Sequence, residues 1–549
     1  MPTKASTIGE RWIDSAKQLT SSKKYLLIDT LGTELTAIKA LTGSIILAEK
    51  IKILSPEQNV ATLLPTSAGA MLCNLAVLMR GKTLVNLNYT ASKEALLSSL
   101  RQADIKTIYT SSQFLQKLES RGFDTTWLEH EAKIVILEKL RASTSIVSRL
   151  LTFLRCRFSS TKSLKARYLQ QSDPQSAASI LFSSGSEGQP KGVILTHANF
   201  LTNVDQVMHL LNLEDEDVVL ANLPLFHAFG LTATLFFPLL EGIPVVCHPD
   251  PTDALATAKA IKKYNITLMF GTSTFFRLYI RNAKITADML ASLRLTIAGA
   301  EKLQAEVREE FFNKFDKVIL EGYGATETAP VACVNIPDHF TVEGYPPVKH
   351  KPGSVGLPIP ATEICIIDPD TQEQLPAGES GMICIHGPQV MLGYLNDTQK
   401  TASALQTIAG KTWYLSGDKG YLDEDNFLHI EDRYSRFAKI GGEMISLGFV
   451  ETSIRRVSDD IELELVAISV PHSKKGESII ILSNRELQQQ ELRKHLLDAG
   501  LGSLALPSAY FLVDEIPKLG SGKTDFGSAK KLALRLGEIG DKYGKAKDQ

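Results

Sequence analysis

Ten consecutive residues, Ser183-Ser184-Gly185-Ser186-Glu187-Gly188-Gln189-Pro190-Lys191-Gly192, hold three serines, three glycines and a lysine directly after the run Ser179-Ile180-Leu181-Phe182. Such a loop suits phosphate. Glycines let successive backbone N–H groups converge without a Cβ in the way, hydroxyls add donors, and the lysine brings a mobile positive charge. Read alone, the same composition also describes a flexible surface connection. Five further motifs follow in order: Pro224-Leu225-Phe226-His227, Gly299-Ala300-Glu301-Lys302, Tyr323-Gly324-Ala325-Thr326-Glu327, Tyr414-Leu415-Ser416-Gly417-Asp418 and Gly520-Ser521-Gly522-Lys523. Thr326 and Glu327 offer a hydroxyl and a carboxylate just after a glycine, where the plain alternative is a helix N-cap with a first-turn acid. Gly417-Asp418 in isolation is a turn signal, and His227 in isolation reads equally well as a packed core histidine. Gly522-Lys523-Thr524 copies the end of a Walker loop, but Pro517 stands where the first glycine belongs and only 25 residues follow Thr524. A P-loop domain cannot be built from that remainder.

This ordered set, together with Arg433, resembles the adenylate-forming superfamily of acyl-CoA synthetases, luciferases and nonribosomal peptide adenylation domains, over most of the chain. Within it, Glu187, the stretch Asn86-Leu87-Asn88-Tyr89-Thr90 and the stretch Arg436–Met444 are similar to acyl-[acyl-carrier-protein] synthetases related to the ligase half of bifunctional 2-acylglycerophosphoethanolamine acyltransferases. The resemblance implies two steps: a fatty acid attacks the α-phosphorus of ATP, releasing pyrophosphate, and a phosphopantetheine thiol then takes the acyl group and releases AMP. ATP and Mg²⁺ are the implied cofactors. Acyl carrier protein is the implied acceptor. Coenzyme A is the alternative, because it ends in the same arm, and a homologue that binds an acyl-adenylate without chemistry is a third reading, motivated by Glu187 and Ser435.

The resemblance also assigns roles. Ser183, Ser184, Gly185, Ser186, Gly188 and Lys191 would hold the departing phosphates, where preorganised donors meet developing charge. Glu187 is awkward among phosphates and is expected to turn outward, accept backbone donors or help bind Mg²⁺. Thr326 would contact the α-phosphate and Glu327 would hold Mg²⁺, which prefers hard oxygen ligands. Gly299, Ala300, Glu301, Tyr323 and Gly324 would line the nucleotide, and Asp418 would bind the ribose with Arg433 beside it. Lys523 would bridge the reacting carboxylate and α-phosphate, with Lys518 as the second choice. His227 would line the acyl and thiol side, and Phe229, Gly230, Gly271 and Thr272 would form walls for a medium to long acyl chain. After a rotation pivoting near Ser435, which replaces the usual Asp or Lys, Lys439, Gly441, Gly442 and Glu443 would face the thiol channel. His248-x4-Asp253 matches a glycerolipid acyltransferase spacing, but the other motifs of that fold are missing and the match reads as chance.

To position these residues the chain must supply rigid elements. Between about residues 176 and 324, short β-rich runs (178–182, 218–221, 244–247, 266–270, 293–297 and 318–320) alternate with helical stretches such as 254–263 and 305–315, which implies a parallel sheet. Ligand loops of such sheets lie at the carboxyl ends of strands, so the loops at 183–191, 299–301 and 322–327 are expected to share one crevice. Residues 60–106 suggest a second such sheet. Beyond Pro352, alternating strands at 362–367 and 381–386 suggest an antiparallel or barrel-like segment. Strands at 464–470, 478–482 and 509–513 with a helix at 487–497 suggest a compact end domain. The expected fold class is α/β: a large N-terminal domain, residues 1–433, of two doubly wound parallel-sheet subdomains plus a β-barrel-like subdomain, and a small mobile α+β C-terminal domain, residues 434–549.

Length and composition agree with that reading. A chain of 549 residues exceeds one compact core. With 44% hydrophobic and 22% charged residues it is not disordered, and a net charge of −2 excludes general nucleic-acid affinity. The six cysteines form no CxxC pair and suggest neither a disulfide framework nor zinc, so a cytoplasmic location is expected. No signal peptide and no run of about 18 apolar residues is present. In residues 146–158, Ile146, Val147, Leu150, Leu151, Phe153, Leu154 and Phe158 interleave with Arg149, Arg155 and Arg157. An ordinary surface helix is the preferred reading of that segment. The alternative is peripheral contact with the inner face of a membrane.

Overall fold

The computed structural model describes residues 6–20, 24–183, 190–440, 443–458, 460, 462–472, 476–498, 501–518 and 524–544. They fall into two compact units. The first runs to residue 364 and resumes over 385–414, and the second takes 365–384 and the chain from 415 onward.

Two sheets build the first unit. In the larger, nine strands among the described residues are ordered Leu357–Pro358, Val331–Val334, Ile319–Gly324, Leu295–Ala298, Leu268–Gly271, Val219–Ala221, Val245–Cys247, Tyr25–Asp29 and Thr33–Thr36. The strands from Ile319–Gly324 to Tyr25–Asp29 are parallel, and both edges are antiparallel. Leu268–Gly271 and Leu295–Ala298 are buried along their whole length, as expected of strands covered by helices on both faces. The helix Ala254–Tyr264 starts where Asp253 accepts from Ala256 N at 3.0 Å and stops at Asn265, whose φ is 49°. The helix Ala305–Phe315 packs Phe311 edge-on against Phe276 of the helix Ser273–Arg281, ring centroids 5.3 Å apart. His248 and Asp253 have separate structural tasks, since His248 Nδ1 meets Thr30 Oγ1 at 3.0 Å while Asp253 caps the helix.

The second sheet orders Gly393–Tyr394, Lys191–Thr196, Ala177–Ser183, Thr83–Asn86, Asn59–Leu63, Thr107–Thr110 and Lys133–Ile136. This corrects the expectation that the glycine loop and the loops at 299 and 322 leave one parallel sheet. Ala177–Ser183 runs parallel to Thr83–Asn86, the stretch expected to form a separate sheet, and antiparallel to Lys191–Thr196. The strands on either side of the glycine loop are therefore hairpin partners, paired from Ser183 with Lys191 to Ala177 with Thr196. Local pattern identifies the strand, but the choice of sheet depends on partners about a hundred residues away, which periodicity does not encode.

The strand Lys411–Leu422, which belongs to the second unit from Leu415 onward, pairs antiparallel with Leu428–Arg433, and the register sets Asp418 opposite Arg433. The C-terminal part of that unit is a sheet ordered Glu443–Ser446, Phe437–Ile440, Gly476–Ser483 and Leu465–His472, with Ala509–Leu512 on the other side of Gly476–Ser483. Alternate residues of the two long strands feed two cores. Leu465, Ala467, Ile479 and Ile481 pack with Val450, Ile454 and Leu496, while Val466, Ile468, Ile480 and Leu482 pack with Ala529 and Ala533 of the helix Phe526–Gly544. A period of two along each strand makes both faces apolar, so a sheet between helices results.

Candidate active site

At the root of the glycine loop, Ser183 ends one strand and Lys191 opens the next, paired across the hairpin. Gln102 Nε2 donates to the Pro190 carbonyl at 3.1 Å and holds the loop's exit. Ser184, Gly185, Ser186, Glu187 and Gly188 lie outside the described residues. A cleft of about 620 Å³ opens here, lined among others by Arg101, Gln102, Lys191, Tyr394 and Lys400.

Glu327 arrives from the other sheet, in a short turn of 3₁₀ helix, Thr326–Thr328, after the strand Ile319–Gly324. Its side chain is 8% exposed, and Lys191 Nζ lies 3.9 Å from its Oε1. Tyr394 completes the group: its hydroxyl donates to Glu327 Oε1 at 2.8 Å, and Lys191 Nζ sits 5.0 Å from its ring centroid. Burial first, and then the Glu327 charge, raise the Tyr394 phenol well above its ordinary range, so it remains protonated and can donate. The turn is tied in place by Met391 N, which donates to the Glu327 carbonyl at 2.8 Å. Two of the sequence candidates, from different sheets, thus meet at one point, and Thr326 is half-buried beside them.

Sequence reasoning missed Tyr394. It sits on the two-residue strand Gly393–Tyr394, paired with Val193 of the Lys191 strand, and an aromatic after a single glycine gives no signal of that placement. Gly324, by contrast, has a visible reason to be glycine, since a Cβ there would fall 1.8 Å from the Pro330 carbonyl oxygen. Gly324→Ala is expected to destabilise the protein by about 1–3 kcal/mol through overpacking, read as a lower urea midpoint. An unchanged midpoint would show that the loop can move aside.

At the carboxyl ends of the larger sheet, Gly299 N donates to the Gly271 carbonyl at 3.0 Å. The ring of Phe229 covers Gly299, where a Cβ would come within 3.3 Å of it, and packs edge-on to Phe270. Ala300 is exposed with a φ of 71°. Tyr323 is half-buried on the strand Ile319–Gly324, opposite Cys333. The Glu301 carboxylate accepts from Thr274 N and, at 3.1 Å, from Thr274 Oγ1, so it serves the start of the helix Ser273–Arg281. Thr272 caps the same helix through Phe275 N at 3.3 Å. Gly230 is buried where a Cβ would stand 2.1 Å from the Pro224 carbonyl oxygen, a packing reason for glycine independent of any acyl wall. His227 is half-buried, its ring centroid 4.5 Å from that of Phe226.

In the second unit the Asp418 carboxylate is 7% exposed and meets Arg433 Nε at 3.0 Å, with Arg433 itself largely in solvent. Asp418 N donates to Ser416 Oγ at 3.1 Å across Gly417, whose φ is 74°. Ser435 is exposed in the turn Tyr434–Arg436. Lys439 and Glu443 lie on paired strands and point to solvent, whereas Gly441 and Gly442 lie outside the described residues. Lys523 does too. The second-choice Lys518 is engaged, with its Nζ 2.6 Å from Glu464 Oε2.

Among the described residues no group of three or more His, Cys, Asp or Glu is placed to hold a metal ion. A single buried carboxylate such as Glu327 instead fits a hard cation shared with phosphate oxygens, the usual way Mg²⁺ is bound.

Known proteins resemble this chain over most of its length. The chain is 28% identical to a long-chain-fatty-acid–CoA ligase of Bacillus subtilis over 523 residues, covering 90% of each chain. It is 29% identical to a protein of the same name from Salmonella typhimurium, over 84% of this chain and 83% of the other. Among solved structures it is similar to ATP-bound MatB from Rhodopseudomonas palustris, with a TM-score of 0.80 at 22% identity, covering 95% of this chain and 98% of that one. The model of the AMP-binding enzyme family matches residues 47–395, and the chain belongs to that family.

Proposed function

We propose that this protein is an AMP-forming ligase that activates a medium- or long-chain fatty acid as its adenylate and passes the acyl group to a phosphopantetheine thiol. The meeting of Lys191, Glu327 and Tyr394 at the root of the glycine loop carries the reading. ATP with Mg²⁺ is the cofactor pair. In the first step a carboxylate oxygen bonds to the α-phosphorus and the bond to the pyrophosphate oxygen breaks. Lys191 and the loop from Ser183 to Gly188 neutralise the departing charge, Thr326 contacts the α-phosphate, and Glu327 is the residue that would hold Mg²⁺, which neutralises phosphate charge when bound. Asp418 accepts from the ribose hydroxyls, and Gly299, Ala300 and Tyr323 line the base. Lys523 follows the charge between carboxylate and phosphate. In the second step the thiol sulfur bonds to the carbonyl carbon, loses its proton and expels AMP, after the residues beyond Arg433 have pivoted to bring Lys439–Glu443 to the thiol.

Coenzyme A is the better supported acceptor, because relatives covering most of the chain are named CoA ligases. Glu187 and the wording of Arg436–Met444 favour acyl carrier protein. Purified enzyme given ATP, palmitate and either acceptor decides between them. Thioester on CoA formed at least about tenfold faster is the expected result. Thioester on carrier protein alone would replace this acceptor by the other, and absence of fatty-acid-dependent pyrophosphate–ATP exchange would leave a binding protein.

A further inference from the structure

The helix Ile146–Phe158 is oriented in the opposite sense to an ordinary surface helix. Thr152 and Cys156 are its buried residues and face the helix Ala37–Leu54, and Lys17 Nζ fastens it by donating to the Cys156 carbonyl at 2.8 Å. Its large apolar side chains point outward: Ile146 and Phe158 are each 77% exposed and Leu150 is 56% exposed, with Val147, Leu151 and Leu154 exposed beside them. At about 100° per residue these six fall within an arc of roughly 140° on the side away from Thr152 and Cys156. Arg157 lies within one edge of that arc and Arg155 just beyond the other, and both are exposed.

The surroundings are one-signed. Between Glu138 and Asp173 the sequence has eight basic residues and no acidic one, in a chain whose basic and acidic totals are 59 and 61. Of these, Lys165 pairs with Asp14, while Arg149, Arg155, Arg157, Lys162 and Arg167 are exposed. A contiguous apolar stripe facing water is a contact surface. Flanking guanidinium and ammonium groups match a layer of phosphates above an apolar interior. The helix has 13 residues, about 20 Å of length, so it can lie along a bilayer but not cross it. Among the described residues no helix is long and apolar enough to cross.

We infer that the face formed by Ile146, Val147, Leu150, Leu151, Leu154 and Phe158, rimmed by arginine, docks this protein reversibly on an anionic lipid bilayer. The surface argument stands without the ligase reading. Its use, taking up fatty acids dissolved in that bilayer, rests on it.

Flotation of the full-length protein with vesicles tests the inference. Binding is expected to vesicles with about 30 mol% phosphatidylglycerol, to be weaker on phosphatidylcholine alone, and to fall at about 0.5 M salt. The triple variant Leu150→Glu, Leu154→Glu, Phe158→Glu should bind at least about tenfold less, and Arg155→Glu with Arg157→Glu should lose the preference for anionic lipid. All five positions are exposed, and an unchanged thermal midpoint confirms that the variants fold. Equal flotation of wild type and triple variant, or no flotation of the wild type, overturns the inference. So does a dimer that the triple variant converts to monomer without any lipid binding, which would make a second copy the occupant. Pyrophosphate exchange with water-soluble octanoate should be the same in all of them. Its absence from the wild type would count against the ligase and leave the flotation result standing.

Discussion

Glu327→Gln is expected to slow fatty-acid-dependent pyrophosphate–ATP exchange by about 10²–10³-fold, the range seen when one preorganised electrostatic group is removed. The substitution keeps the shape and can still accept the Tyr394 hydrogen bond, but it removes the negative charge from a buried site where Lys191 stands 3.9 Å away. A neutral amide is also a poor partner for a hard divalent ion. The loss should concentrate in the first step, so thioester formation from supplied acyl-AMP should stay close to the wild-type rate. The Mg²⁺ concentration giving half-maximal exchange should rise. An exchange rate within about threefold of wild type would remove Glu327 from the reaction and leave it a structural acid of the turn.

The second large effect belongs to Lys523. Lys523→Ala should cut adenylate formation by a comparable factor of about 10²–10³, because a flexible ammonium is the group able to follow charge as it passes from carboxylate to phosphate. Transfer from supplied acyl-AMP should be nearly intact, since that step starts after the phosphate chemistry has ended. Equal loss in both half-reactions would show that the residue acts through folding of the small domain. Lys518→Ala serves as the control. Its ammonium is held 2.6 Å from Glu464, so its removal should change exchange by no more than about twofold.

Much of the small C-terminal sheet is legible in the sequence. The expected strands at 464–470, 478–482 and 509–513 match Leu465–His472, Gly476–Ser483 and Ala509–Leu512, and the helix at 487–497 matches Gln489–Asp498. Each is a short apolar or amphipathic run bounded by polar turns, information carried within about ten residues. In the large unit the runs at 244–247, 266–270 and 293–297 likewise fall on strands. The hairpin partner Lys191–Thr196 was not foreseen. It begins inside the glycine loop, where glycine and proline mask the β pattern that Val193, Ile194 and Leu195 carry.

The helix Ile146–Phe158 shows the limit from another side. Its amphipathic pattern was plain in the sequence, but periodicity states only that one face is apolar and does not say whether that face looks to a core or to water. Packing through Thr152 and Cys156 decided it. Glu301 gives a similar lesson, because its motif suggested a nucleotide contact and its carboxylate is occupied with Thr274.

What could be read from residues alone was a set of candidates: a phosphate-suited loop, a hydroxyl–carboxylate pair and a late lysine, in an order that resembles the adenylate-forming superfamily. Those are short-range facts, because donors, acceptors and glycines act over one turn of chain. Which of them meet was decided by tertiary structure. Lys191 and Glu327 come from two different sheets, and Tyr394 reaches them through a two-residue strand paired at long range. Strand pairing between segments a hundred or more residues apart is selected by packing of the whole unit, and no local pattern records it.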